Sequence, residues 1–224
     1  MTLIDKKLLN KILYHVEKPG RYVGGEHNMV LKDWHSVDTR VALAFPDIYD
    51  LGQANLGLSI LYELINDRPD LLAERVFSPW HDMETAMREK KIPLFSLESK
   101  TPINDFNILG ITLPYESIYT NVLNLLDLSG IPIRSTQRNT NHPLVIAGGH
   151  ACFNPEPMAD FIDAFAIGDG EELIFEIIHA YQEWESQNSE KKTLLKKLAE
   201  ISGVYVPSLY EVEYFDDGRI KRVF

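Results

Sequence analysis

From Thr39 onward, short apolar runs of strand length alternate with stretches whose apolar residues recur at helical spacing. No other feature constrains the fold as much. A strand buried on both faces reads as an unbroken apolar run, and a helix between two such runs carries the chain back so that the next strand lies parallel. Val41 to Phe45 is the first expected strand and Pro46 ends it; Leu58, Leu61, Leu64 and Ile65 then form the buried stripe of a helix. Arg75 to Phe77 predicts a short second strand, His81 to Lys90 a second helix, and Pro93 to Leu97 a third strand. Phe106 to Leu113 and Glu116 to Leu128 make another strand and helix, and Leu144 to Ala147 and Ala164 to Ile167 two further strands. Leu173, Ile174, Ile177, Ile178, Tyr181 and Trp184 stripe a long helix, which the polar stretch Ser186 to Lys192 separates from a last short one.

The ends of the chain depart from this rhythm. Ile4, Leu8, Leu9, Ile12, Leu13 and Val16 predict an amphipathic helix stopped by Pro19-Gly20, and Arg21 to Asn28 a polar, glycine-paired loop. After Val204 to Pro207, the segments Glu211 to Phe215 and Ile220 to Phe224 predict a hairpin on an Asp217-Gly218 turn. The expected organisation is an N-terminal helix and loop over 1–38, a Rossmann-like, flavodoxin-type α/β domain over 39–200, and connecting strands over 201–224. Its sheet is mostly parallel with helices on both faces.

At 224 residues the chain can bury about 70% of the surface its unfolded form exposes, enough for one full core. Its 22 basic and 33 acidic residues give a net charge of -11, and no Lys/Arg cluster is longer than pairs such as Lys191-Lys192. Nucleic acid is therefore not an expected partner. No stretch has the length or uninterrupted apolarity of a signal or membrane span, so a cytoplasmic location without membrane contact is expected. Cys152 is the single cysteine, which excludes an internal disulfide and a CxxC knuckle. The seven histidines show no H-x-x-x-H spacing, and His150 with Cys152 makes only two ligands, so no metal site is expected. There is no G-x-G-x-x-G at the first strand, no P-loop and no nucleophile elbow, and no catalytic residue is assigned.

Ligands of open α/β sheets bind at the carboxyl ends of the strands. Three loops fall there. The first supplies Asp47, Tyr49, Gly52, Asn55 and Gly57, the second Gly148, Gly149, His150, Asn154 and Glu156, and the third Gly168, Asp169, Gly170 and Glu171. Their glycines permit positive φ or close approach of a ligand, and amides at a following helix N-terminus can hold an acceptor. Glu171 and Glu172 also suit the N-terminal end of a helix dipole.

Seven segments in order resemble one family: residues 21–28 (RYVGGEHN), 42–52 (ALAFPDIYDLG), 74–84 (ERVFSPWHDME), 92–99 (IPLFSLES), 119–132 (YTNVLNLLDLSGIP), 147–163 (AGGHACFNPEPMADFID) and 167–172 (IGDGEE). Together they are similar to the N-terminal part of radical S-adenosylmethionine (SAM) proteins with a cobalamin (B12)-binding-like domain, in an uncharacterised subgroup carrying a GGE segment. The resemblance implies a B12-binding-like fold and a partner, the radical SAM barrel, in cis or on a separate chain. Cobalamin-binding domains carry D-x-H-x-x-G after the first strand, where the histidine ligates cobalt. Here Tyr49 takes its place, so any cobalamin would lack a histidine lower ligand. The iron–sulfur cluster and S-adenosylmethionine belong to the barrel, since a cluster held by three thiolates cannot form on Cys152 alone. The resemblance thus implies a truncated or separately encoded accessory domain, its substrate not given. The alternative is a stand-alone flavodoxin-like module that holds a small molecule or a protein partner without catalysis.

Overall fold

The computed structural model describes residues 4–187 and 189–224, so the first three residues of the expected N-terminal segment and Asn188 of the polar stretch lie outside the described residues. Two short pieces lead in, α1 (Lys6–Leu13) and the turn α2 (Gly20–Val23). Then follow β1 (Thr39–Phe45), the turn α3 (Tyr49–Gly52), α4 (Leu56–Asn66), β2 (Leu71–Phe77), α5 (His81–Lys90), β3 (Ile108–Thr112) and α6 (Tyr119–Leu128). The chain continues with β4 (Leu144–Gly148), β5 (Ala164–Ala166), α7 (Gly170–Ser186), α8 (Lys191–Leu198), β6 (Val204–Tyr205), β7 (Val212–Tyr214) and β8 (Ile220–Val223).

Six strands form one sheet in the order β2-β1-β3-β4-β5-β6, parallel except for β6, which pairs antiparallel with β5. This α/β arrangement with a flanked parallel sheet is Rossmann-like, and the order 2-1-3-4-5 is that of doubly wound flavodoxin-type sheets. β7 and β8 form the expected C-terminal hairpin, with Gly218 at φ 82° in its turn.

Side chains alternate across each strand, so one sheet builds two cores. Val41, Leu43, Ile108, Leu144 and Ile146 pack under α4, α7 and α8, whereas Ala42, Ala44, Leu109, Val145 and Phe165 pack under α5, α6 and α1. Both faces being covered explains the apolar runs of β1, β3 and β4. α1 buries Leu9 and Ile12 as its period predicts, and Asp5 caps it by accepting from the Lys7 N–H.

Two expectations change. β2 begins at Leu71 rather than Arg75; Glu74 and Arg75 interrupt the apolar run but are buried within it. Pro93 to Leu97 is not a strand of the sheet and keeps only an isolated bridge between Phe95 and Pro102. That segment instead closes the β2 edge: the Leu97 N–H donates to the Arg75 carbonyl at 2.8 Å, and Glu98 accepts from the Arg75 N–H at 2.7 Å. An edge covered in this way cannot template pairing with another chain.

Candidate functional site

The strand order reverses between β1 and β3, and crevices of doubly wound sheets open at such a reversal. Here a cavity of about 210 Å³ lies between α4 and α7, over the carboxyl ends of β1, β3, β4 and β5. Gly110, Ile146, Gly148 and Ala166 come up from the strands, Gly57 and Leu61 from α4, and Gly170, Glu171, Ile174 and Ile177 from α7.

Small residues make this space, and at four of them the backbone does not require glycine. A Cβ at Gly110 would come no closer than 3.4 Å to the Leu43 side chain, at Gly148 3.7 Å to the Ala166 carbonyl, at Gly57 3.5 Å and at Gly170 3.6 Å. None has positive φ. Side chains there would fill the cavity instead of straining the fold, which is how a backbone cradle for a ligand is made. Gly149 is different in kind. Its φ is 114° and a Cβ would sit 2.7 Å from the Leu113 carbonyl, so the turn itself demands glycine.

Polar groups are few and grouped at the mouth. Thr112 ends β3, Glu171 lies in the first turn of α7, and Asp169 stands at that helix's N-cap without a side-chain bond to it. The first amides of α7 therefore receive no side-chain cap from Asp169 and face the same end of the sheet as the cavity. The arrangement suits a slender, mainly apolar group offering a donor to Glu171 and an acceptor to an amide.

The loop after β1 is built otherwise. The Tyr49 hydroxyl donates to Glu26 at 2.9 Å and its ring meets Phe77 edge-on at 5.3 Å. Glu26 also accepts from Arg75 at 3.2 Å, while Arg75 donates to Gln53 at 3.2 Å and to Glu98 at 2.7 Å and lies 4.6 Å from the centre of the Tyr62 ring. Burial, with Glu26 beside it, pushes the Tyr49 phenol up to about 12. Burial likewise pushes the Glu98 carboxyl up to about 7, although Arg75 pulls the other way. A phenol held protonated by a carboxylate does not fit a cobalt ligand. Among the described residues, no three His, Cys, Asp or Glu side chains gather as a metal site.

Of the residues singled out from sequence, the fold brings Gly57, Gly148, Gly149, Gly168, Gly170 and Glu171 to the cavity. Asn55 caps α4 by accepting from the Leu58 N–H at 2.9 Å, and Asp47 accepts from the Ile48 N–H at 2.7 Å. Gly52 packs so tightly on Phe77 that a Cβ would lie 2.6 Å from its ring. His150 is exposed against Phe153, Asn154 is exposed, and Glu156 accepts from the Tyr205 hydroxyl at 2.6 Å. Gly110 escaped the sequence reading although it carried a signal: a glycine inside an apolar run marks close approach to a strand. Glu26, Arg75 and Glu98 were missed because their pairing is long-range.

The family model described as radical SAM proteins, N-terminal, matches residues 57–207. The chain belongs to that family. In this radical SAM N-terminal domain the matched span runs from the start of α4 through β6, so it contains the residues lining the crevice except Leu43 of β1, and leaves out Glu26 and Tyr49. An uncharacterized protein of Methanocaldococcus jannaschii is 25% identical over 138 residues, covering 57% of this chain and 30% of its own length. The chain thus spans under a third of that curated relative. No solved structure matches.

Proposed function

We propose that this domain is the accessory front part of a radical SAM enzyme and that its crevice holds an organic ligand presented to the catalytic barrel. The four glycines at which a Cβ would meet no more than ordinary van der Waals contact carry the reading. They shape a cradle at the switch point, where no requirement of the backbone explains them. The nucleotide tail of a cobalamin carries a flat, apolar dimethylbenzimidazole that suits the space, a ribose whose hydroxyl can donate to Glu171 and a phosphodiester that can accept from the α7 amides. Such a cobalamin would supply group-transfer chemistry to the barrel with no side-chain ligand on cobalt from this domain, because Tyr49 is engaged by Glu26.

The iron–sulfur cluster and S-adenosylmethionine belong to the barrel. Cluster iron calls for thiolates, and burial pushes the one thiol, Cys152, up to about 12. Incubation of the chain with hydroxocobalamin, then gel filtration and a visible spectrum, tests the proposal. Corrin absorbance should travel with the protein, and Gly148→Ala combined with Gly170→Ala should lower its retention about tenfold without lowering the melting temperature. Absence of retained corrin together with a clear dimer overturns the reading in favour of a stand-alone flavodoxin-like module.

A further inference from the structure

The segment lying over β1 and β2 hangs on one buried cluster. Gly24 and Gly25 stand at φ 69° and 93°, and a Cβ at Gly25 would meet nothing within 4 Å, so there only the left-handed backbone calls for glycine. From 24 to 30 the chain forms no helix or strand. It is held near both ends: Glu26 accepts from Arg75 and from the Tyr49 hydroxyl, and the Val30 N–H donates to the Tyr62 hydroxyl at 2.7 Å. Both attachments meet on Glu98, whose side chain is fully buried against Arg75 and faces Tyr62.

The charges of this cluster do not balance. Glu26, Glu74 and Glu98 face Arg75 and Lys100, so with every group ionised one negative charge is left over inside the fold. Tyr49 and Tyr62, pushed up to about 12 by burial, keep their protons, and Asp50 further out is paired with Lys18 and Arg21. Glu74 accepts from the Ser99 N–H and hydroxyl, and Glu26 reaches solvent, so the proton that restores balance settles on Glu98. Burial pushes that carboxyl up to about 7; it pushes down Lys100, which donates to the Val23 carbonyl at 3.0 Å.

We infer that residues 24–30 are a latch closed by a proton on Glu98. With Glu98 neutral, Glu26 is the one anion on the Arg75 guanidinium and draws the segment down over Tyr49. With Glu98 ionised, two carboxylates share that guanidinium and repel each other. Glu98 is fixed by the Arg75 N–H and Nε, whereas Glu26 follows a glycine hinge, so Glu26 is the one that yields. Acid thus closes this side of the carboxyl edge and alkali loosens it, whatever the crevice holds.

The test follows hydrogen exchange of the Met29 and Val30 amides at pH 5.5 and 8.5, each rate divided by the unprotected rate at that pH. His27→Gln is built into every chain tested, which removes the exposed imidazole of the same segment. Protection should fall severalfold from the lower pH to the higher, with a midpoint near that of Glu98, while the Val41 and Leu43 amides of β1 keep theirs. Glu98→Gln should hold the closed level at both pH values, and Glu26→Gln the open level at both. Reciprocity supplies a reading that does not require Glu98→Gln to fold: followed by carboxyl-carbon NMR, the Glu98 proton affinity should drop about threefold in Glu26→Gln. Equal protection at both pH values without the Glu26 or Glu98 change overturns the latch, and so does a Glu98 midpoint that Glu26→Gln leaves unmoved. A pH response that survives Glu98→Gln overturns it as well, because Lys100 is then the group that titrates.

Discussion

The carboxyl edge of this sheet has two halves built on opposite principles. At β1 and β2 it is tied shut: Glu26 of the N-terminal segment joins Tyr49 and Arg75, Arg21 pairs with Asp50 at 2.5 Å, and the Tyr22 hydroxyl accepts from the Trp80 N–H at 3.0 Å. At β3, β4 and β5 it is left open, lined by Gly110, Gly148 and Ala166 beneath α7. Rigidity comes from charged groups satisfied inside the fold, and capacity from residues that contribute no side chain. The same loops of one topology can therefore hold either the chain's own N-terminus or something foreign.

Arg75→Met should break the tied half most severely. Arg75 is 3% exposed, and removing one partner of a buried ion pair costs about 3–5 kcal/mol because the other charge remains. Chemical denaturation should show that loss, and limited proteolysis should reach residues 24–30 more readily than in the parent. Next comes Gly149→Ala at the lip of the open half, with a cost of about 2 kcal/mol from the left-handed backbone and the approach to Leu113.

Acidity separates the halves further. The Glu98 carboxyl is raised above its ordinary value by burial and by Glu74 nearby, so the folded protein holds that proton more tightly than the unfolded chain does. Its contribution to stability is complete below about 4.5 and lost as pH rises through about 7. The stability of the parent relative to Glu98→Gln should accordingly fall over that window, measured by denaturation at each pH. Crevice variants should leave the trend unchanged.

Smaller effects sharpen the contrast. Tyr49→Phe removes one hydrogen bond to Glu26 and should cost about 1 kcal/mol, with no change in ligand retention. Gly148→Ala should do the reverse, raising stability by about 0.4–1 kcal/mol through the unfolded state while lowering retention. Adjacent glycines 148 and 149 would then move stability in opposite directions, which denaturation of the two variants checks directly.

Periodicity made most of the sheet legible, because burial on both faces writes an apolar run into β1, β3, β4 and β5. It caught only the last three residues of β2 and misplaced Pro93 to Leu97, for one shared reason. Glu74 and Arg75 are satisfied by Ser99 and Glu98, more than twenty positions away, and no local pattern carries such a pairing. The crevice was half legible: glycines at strand ends were visible, whereas Gly110 looked like part of an ordinary apolar strand. Tyr49 was recognisable by spacing, but its partner Glu26 lies in a segment whose position only the folded chain reveals.

The direction of β6 bears on how the crevice is reached from the C-terminal side of the chain. Because β6 runs antiparallel to β5, the chain leaves the sheet heading toward the amino ends of the strands, away from the crevice. Any chain beyond β8 would have to turn back along the sheet to reach the crevice, and residues 212–223 are folded as a hairpin instead of running toward it.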